Sequence, residues 1–158
     1  MPYLIDGHNL IPKLGLRLDS PDDELDLVAR LQEFCRLRRA QVEVYFDGAP
    51  PGQAAERTFG AVTAHFIRRS SSADDALEVR LEKLGRAARN WSVVSSDQRL
   101  QRAAQAAHAG VISAEEFSRQ MSAVRRESVE QARNAGTNLS PEEVETWLSE
   151  FMSRHPKA

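Results

Sequence analysis

Apolar residues along this chain occur as short runs typical of strands, separated by longer stretches with helical spacing. Residues 3–5 form the first run, which is too short for a helix and ends at Asp6, so it predicts a buried strand with an acid at its carboxyl end. Residues 41–46 alternate, are rich in valine and aromatic residues, and end in the same way at Asp47. Further strands are predicted at residues 61–67, 91–94 and, at most briefly, 111–112.

Helices are predicted between the strands because apolar residues recur there every three or four positions. Their starts are marked by capping boxes, in which a serine is followed three residues later by an acid. Residues 7–19 and 49–55 are predicted to be loops. The boxes are Ser20 with Asp23, Ser72 with Asp75, Ser113 with Glu116 and Ser140 with Glu143.

Strands and helices alternate up to about residue 112, whereas only helices are predicted afterwards. Alternation of this kind predicts an α/β fold with a mainly parallel sheet and helices on both faces. We therefore expect a core over residues 1–112 and a C-terminal helical extension over residues 113–158. The apolar stripes of the extension indicate packing on the core, with a dimer or partner surface as the alternative, so a monomer or weak dimer is expected.

Composition narrows the class of protein. The chain has 158 residues, 41% of them hydrophobic, and a net charge of −2, so it is one ordinary globular domain and not a polycation. It contains 18 arginines and 3 lysines; this skew suits an RNA or DNA ligand, and a high-GC genome would produce it too. The single cysteine, Cys35, excludes an internal disulfide and a cysteine-based zinc site. No apolar run or leader pattern predicts a membrane segment or secretion, so a cytoplasmic protein is expected.

Aspartates follow each of the four main predicted strands. Asp6, Asp47, the pair Asp74 and Asp75, and Asp97 occupy these positions. Because the carboxyl ends of parallel strands share one edge of a sheet, we expect these carboxylates to lie close together. Such a cluster repels itself unless a cation neutralises it, and Mg²⁺ and similar hard ions take carboxylate oxygens as ligands. One or two such ions in a cleft suit hydrolysis of a phosphodiester.

Each acid also has a purely structural interpretation. An Asp-Gly pair after a strand is a common turn signal, which covers Asp6 and Asp47. The other three suit helix amino termini, where a negative charge is stabilising. Turns and caps explain each acid taken alone. They do not require an acid after every strand at one edge of the sheet, so they explain the whole set less well.

Several neighbouring residues could support such a site. Asn9 is placed to hold an oxygen of Asp6, a metal-bound water or a phosphate, and Ser96 to contact metal or phosphate. Glu78, one helical turn after Asp74, either adds a ligand or faces solvent. For His8, an ordinary hydrogen bond in a loop is preferred over a general-base role. Three arginines near the predicted edge are candidates for RNA phosphates: Arg68, Arg69 and Arg99.

Four segments in this order resemble a known family. Residues 4–11 (LIDGHNLI), 44–47 (VYFD), 73–77 (ADDAL) and 93–97 (VVSSD) are similar to the NYN domain in its YacP-like branch, which belongs to the PIN-like nucleases. The resemblance runs from Tyr3 to about Met121, and the final helices suit the helical extension of that family.

The resemblance implies a PIN-like three-layer α/β/α fold and Mg²⁺- or Mn²⁺-dependent endoribonuclease activity. Asp6, Asp74 and Asp97 match the metal-binding acids of the family, which makes them the expected catalytic residues. Asn9 matches its amide position, and two further acids, Asp47 and Asp75, match supporting positions. Many relatives carry a second acid after the last motif, where this chain has Gln98, Arg99 and Leu100, and this departure counts against a second metal site more than against the first.

The expected function is therefore a metal-dependent endoribonuclease that hydrolyses RNA at an acidic cleft on the C-terminal edge of the sheet. The alternative is a non-catalytic RNA-binding module that keeps the fold with a degenerate site. A phosphoacceptor receiver domain also has acids at strand ends, but it needs a lysine after a late strand, and none of the three lysines is placed there.

Overall fold

The computed structural model of the chain describes residues 2–16, 21–49, 56–68, 71–135 and 145. One six-stranded sheet is formed by β1 (Pro2–Asp6), β2 (Gln41–Ala49), β3 (Glu56–Phe59), β4 (Val62–Arg68), β5 (Ser92–Val94) and β6 (Gly110–Ile112). The strands lie in the order β3-β4-β2-β1-β5-β6, and neighbours are parallel except for β3 and β4. The predicted mainly parallel sheet is confirmed.

Helices cover both faces of this sheet. Within the described ranges they are α1 (Gly7–Leu10), α2 (Pro21–Arg38), α3 (Ala73–Leu84), α4 (Gln98–Ala106) and α5 (Ala114–Ala135), with 3₁₀ helices at Ile11–Leu14 and Gly85–Asn90. None of the helices in the described part of the chain is both long and apolar enough to span a membrane.

Strand β1 lies at the centre of the sheet and is buried on both faces, which explains its unbroken apolar sequence. Ile5 belongs to the core between the sheet and α1, α2 and α5, where the rings of Phe34 and Phe117 lie 5.0 Å apart. Leu4 belongs to the opposite core, which α3 and α4 close with Leu77 and Leu100. These two cores confirm the predicted three-layer α/β/α fold.

The chain immediately after β1 is helical, so the predicted loop over residues 7–19 is wrong for the part that the structure describes. Helix α1 and the 3₁₀ helix that follows bury Leu10 and Ile11 in the first core. Each spans four residues, too few for a periodic pattern to form in the sequence. The consequence is that Asn9 is held on a helical turn and not on a free loop.

The region after β2 also differs from the prediction. Strand β2 continues past Asp47 to Ala49, with a register irregularity after Phe46 and a left-handed Gly48 (φ 78°). Strand β3 was not predicted, because it is a mostly exposed edge strand of polar sequence without alternation. It is the antiparallel member of the sheet.

Two of the predicted capping boxes are present. The hydroxyl of Ser72 accepts the N–H of Asp75, and that of Ser113 accepts the N–H of Glu116, each at 3.1 Å. The other two boxes include Ser20 and the pair at 140 and 143, which lie outside the described residues. Helix α5 packs its predicted stripe of Phe117, Met121 and Val124 into the first core.

Candidate active site

The acid at the end of β1 is surrounded by other acids. Asp6 is only 7% exposed. Burial, followed by the charges of Asp74 and Asp47, raises its pKa to about 6, while the backbone N–H of Asn9 and the nearby His8 act in the opposite direction. A buried carboxylate is costly to ionise, and more so when other carboxylates repel it. The raised pKa of Asp6 therefore reflects the negative charges around it as well as its burial.

Asp74, in the first turn of α3, interacts with Asp6 and Asp47 and also with Asp97, which follows β5. Burial raises the pKa of Asp74, followed by the charges of Asp97 and Asp47, and Arg99 partly offsets them. Four of the predicted acids therefore act on one another at one edge of the sheet, as the spacing of the sequence indicated. We call Asp6, Asp47, Asp74 and Asp97 the acid cluster.

Two members of the acid cluster also have the structural roles that the sequence left open. Asp97 is the N-cap of α4, and its Oδ1 accepts the N–H of Arg99 at 2.8 Å and that of Leu100 at 3.4 Å. Asp47 Oδ1 accepts the N–H of Ala73, the first residue of α3. Each carboxylate is thereby oriented by one oxygen, and no hydrogen bond within the described residues engages its Oδ2.

The glycine after Asp6 is required by close packing between β1 and β2. A Cβ on Gly7 would collide with the ring of Phe46 and lie 3.0 Å from the carbonyl oxygen of Tyr45. The absence of a side chain lets the chain turn into α1 directly against β2. The Asp-Gly pair is therefore a packing device that brings the end of β1 close to Asp47.

A hydrogen-bonded network supports the acid cluster from the side of α5. Asn9 Oδ1 accepts the N–H of Ser96 at 2.8 Å. The hydroxyl of Ser96 donates to Glu115 Oε2 at 2.6 Å and accepts the N–H of Ala114 at 3.0 Å. Lys13 Nζ lies 2.9 Å from Glu115 Oε1. This network, from Lys13 through Glu115 and Ser96 to Asn9, fixes the chain just before Asp97.

Glu115 and Lys13 were missed by the sequence analysis. The Ser96 hydroxyl, followed by Lys13, lowers the pKa of Glu115 to about 2, so its carboxylate is ionised. Glu115 stands beside a capping-box serine in the sequence, which suggested only the start of a helix. Its contact with Ser96 joins segments that are distant in sequence, and no local pattern reveals it.

Three predicted site residues outside the acid cluster, Asp75, Glu78 and Arg99, form one hydrogen-bonded group. Arg99 donates to Glu78 through Nε at 2.8 Å and to Asp75 through Nη2 at 2.5 Å. This exposed group ties α3 to α4, and Arg99 lowers the pKa of Asp75. The side chains of Asp75 and Arg99 bond to each other in this structure. Metal binding by Asp75 and phosphate binding by Arg99 stay predictions. Arg68 is exposed at the end of β4, and Arg69 lies outside the described residues.

His8 makes the ordinary hydrogen bond that the sequence analysis preferred. Its Nε2 lies 3.2 Å from Glu24 Oε2, and its ring packs against Phe46 at a centroid distance of 5.6 Å. The hydrogen bond to Glu24 is the main cause that raises the pKa of His8, and the charges of Asp47 and Asp6 contribute further. His8 thus borders the acid cluster without being free to act as a base.

The donor set of the acid cluster suits a hard divalent cation. It offers carboxylate oxygens, and within the described ranges no ion pair links any of its four members to a lysine, arginine or histidine. No three acidic, histidine or cysteine side chains of the described residues are close enough to ligate one ion directly. The cluster therefore fits an ion such as Mg²⁺, which keeps several waters and binds through one or two carboxylates.

Comparisons with known proteins place the fold and the family. The structure of Rae1 (YacP) from Bacillus subtilis is similar, with a TM-score of 0.71, 24% sequence identity, and coverage of 98% of this chain and 91% of that chain. A tryptophan-to-leucine mutant of the same protein gives a TM-score of 0.70 and 23% identity, with 99% and 93% covered. At this identity the likeness shows a shared fold. No curated protein sequence matches significantly. The model of the YacP-like NYN domain matches residues 3–155, so the chain belongs to the YacP-like NYN family of PIN-like nucleases.

Proposed function

We propose that this chain is a metal-dependent endoribonuclease that hydrolyses RNA phosphodiester bonds at the acid cluster, with Mg²⁺ or Mn²⁺ as its cofactor. Membership in a PIN-like nuclease family supports an RNase-type function and RNA as the substrate class. The observation that carries the proposal is the state of Asp6, which is 7% exposed, faces other carboxylates and has a pKa raised to about 6.

This state is difficult to explain by folding alone. A buried carboxylate normally has a cationic or hydrogen-bonding partner, because an uncompensated charge is costly inside a protein. The N–H of Asn9 and the nearby His8 compensate the charge of Asp6 only in part, and its other neighbours are two further acids. Perturbed acids in a cluster are a common feature of catalytic sites, where the substrate or a metal supplies the missing positive charge.

The residues of the cluster have separable roles in the proposed reaction. Asp6, Asp74 and Asp97 would hold the ion, one or two of them directly and the rest through its waters, and the ion would supply an activated water and stabilisation of the leaving oxygen. Asp47 adds negative charge and anchors the start of α3 through the N–H of Ala73. Asn9 orients the chain before Asp97 by accepting the N–H of Ser96.

A non-catalytic RNA-binding module is the second candidate. It is favoured by one observation: in the described part of the chain, no three potential ligands are arranged for direct coordination of one ion. Titration of Mn²⁺ into protein with RNA separates the two functions. A nuclease produces shorter fragments as Mn²⁺ increases, and a binder retards the RNA in a gel without cutting it.

The decisive variants are Asp6→Asn and Asp74→Asn, which keep side-chain volume and remove charge. We expect each to lower RNA cleavage in Mg²⁺ by about 100-fold or more, because a positioned ion contributes several kcal/mol to the barrier. Glu130→Gln, an exposed acid on α5 far along the chain, is the matched control and should cleave like wild type. Circular dichroism and urea unfolding establish that all three variants are folded. Full cleavage by folded Asp6→Asn would exclude the proposal.

A further inference from the structure

One face of the sheet carries a groove beside α3. Helices α3 and α4 cover this face over β1 and β5, and a groove of about 860 Å³ lies where β4 and β3 extend beyond them. Its two sides are the strand β4 and the outer side of α3. This volume is within the usual range of ligand pockets, roughly 300–1,000 Å³.

The floor and wall of the groove are aromatic and apolar. On the floor the ring of His65 stacks on the ring of Tyr45, which is itself buried at 4% exposed, with centroids 4.4 Å apart and an angle of 10°, beside Ile67. On the wall Val79 is 48% exposed and is the one large apolar side chain that is exposed among the described residues. Val79 therefore lies on the surface of the groove, where a substitution would change what the groove binds.

The charges that remain free along the groove are mainly positive. Arg68 at the end of β4 and Lys83 in the last turn of α3 both line it, and neither forms an ion pair within the described ranges. Two of its acids, Glu43 and Asp75, are each bonded to an arginine. Glu56, exposed on the edge strand, is the remaining acid of the lining. Cations at both ends of an aromatic floor suit a chain of phosphates and bases.

The groove also opens beside the acid cluster. Ser72 and Asp75, at the start of α3, belong to its lining, and Asp74 of the acid cluster lies between them in the sequence. The same helix start is anchored by Asp47, whose carboxylate accepts the N–H of Ala73. A strand lying in the groove would therefore reach the cluster at the amino terminus of α3.

We propose that this groove binds the single-stranded RNA that flanks the bond to be cut. Bases would lie on the His65 side of the groove, and phosphates would contact Arg68 and Lys83. This proposal rests on the proposed ribonuclease function, because the groove would hold the RNA that lies next to the bond cut at the acid cluster. A peptide is the other possible occupant of such a groove; the two free cations at its ends favour RNA.

Val79 offers a test in which one position receives either charge. Val79→Glu and Val79→Lys alter an exposed helix position, and both new residues have a higher helix propensity than valine, so the fold should be retained. Binding is measured by fluorescence anisotropy with a labelled single-stranded RNA in EDTA and low salt, and a gel verifies that the RNA stays intact. We expect Val79→Glu to weaken binding roughly three- to tenfold and Val79→Lys to strengthen it, which is the effect of about one phosphate contact.

Arg126→Glu on α5 is the control, because this exposed arginine does not line the groove. It should change the affinity less than Val79→Glu does. Equal affinities for wild type and both Val79 variants would overturn the proposal and leave the groove to a protein partner.

Cleavage kinetics in Mg²⁺ separate this proposal from the ribonuclease function. If wild type cleaves RNA, the Val79 variants should change KM more than kcat, and unchanged KM values would contradict the groove. If wild type cleaves no RNA, the ribonuclease proposal fails, and the opposite shifts in affinity for the two Val79 variants still support RNA in the groove.

Discussion

A partly buried acid and a buried acid on neighbouring strands of the sheet have opposite pKa shifts. Glu43 lies in the middle of β2, and Asp6 lies at the end of β1. Burial acts on both to raise the pKa, but the side chains of His65, Arg80 and Tyr45 reverse the effect at Glu43 and lower its pKa to about 2. At Asp6 the neighbours are other carboxylates, and the pKa is raised to about 6.

The charge of Glu43 is neutralised by hydrogen bonds from neighbouring side chains of the described chain. Arg80 donates to both of its oxygens, from Nε at 3.0 Å and from Nη2 at 2.9 Å, and the hydroxyl of Tyr45 donates at 3.0 Å. His65 Nε2 lies 3.5 Å from Oε1 without the alignment of a hydrogen bond, so Arg80 is the dominant partner. Asp6 differs because, within the described residues, no arginine pairs with it, and the N–H of Asn9 and the nearby His8 offset its charge only in part.

The largest expected effect comes from breaking the neutralised acid. Arg80→Met leaves the Glu43 carboxylate, 16% exposed, with its charge unpaired. We expect a loss of about 2–3 kcal/mol in the free energy of unfolding, somewhat less than for a fully buried pair because Arg80 itself is a third exposed. Urea unfolding at pH 7 measures it. Arg99→Met removes a more exposed arginine that also bonds two carboxylates, and a loss as large as that of Arg80→Met would contradict the distinction.

The pH dependence of stability sharpens the same contrast. Because the folded-state pKa of Glu43 is about 2, below its ordinary value of 4.5, the ionised carboxylate stabilises the fold above pH 4.5, and this contribution is lost as the pH falls toward 2. We expect Glu43→Gln to cost roughly 2 kcal/mol at pH 7. The difference from wild type should shrink as urea unfolding is repeated between pH 4.5 and pH 3. A difference that is constant over this range would show that Glu43 is not held as an anion.

A smaller effect is expected from the network that orients the acid cluster. Glu115→Ala removes the acceptor of the Ser96 hydroxyl and should lower kcat for RNA cleavage about tenfold with little change in KM, because the chain before Asp97 loses its anchor. Glu115→Gln should recover most of the rate, since its amide oxygen can accept the same hydrogen bond. Glu116→Ala alters the neighbouring carboxylate, which pairs with Arg119, and serves as the control. Equal rates for Glu115→Ala and wild type would exclude a positioning role.

The sequence predicted the meeting of the acids because it depends on topology. Alternating strands and helices put strand exits on one edge, where Asp6 ends β1, Asp47 lies near the end of β2, and Asp74 and Asp97 lie at the starts of the helices after β4 and β5. The Asp-Gly pair at β1 was visible too, although the reason for Gly7, the approach of the Phe46 ring, requires coordinates. Features that depend on strand order and exits were thus accessible from local patterns.

Features that depend on contacts between distant elements were not accessible. The pairing of Arg99 with Glu78 and Asp75 requires the relative placement of α3 and α4. Glu115 reaches Ser96 only because α5 begins beside the end of β5. Strand β3 lacks an apolar face of its own, so its pattern resembled a loop.

The site proposed at Asp6 depends on a bound cation that neutralises the charge of its carboxylate. The most direct measurement is thermal unfolding of wild type and Asp6→Asn at pH 7.5, in EDTA and in Mn²⁺. Without metal the variant should melt about 3–6 °C higher, because a buried charge and its repulsion by Asp47 and Asp74 are removed, a gain of roughly 1–2 kcal/mol. Mn²⁺ should then raise the Tm of wild type by several degrees and that of Asp6→Asn much less. A variant that melts lower than wild type in EDTA, with equal stabilisation of both proteins by Mn²⁺, would contradict the claim.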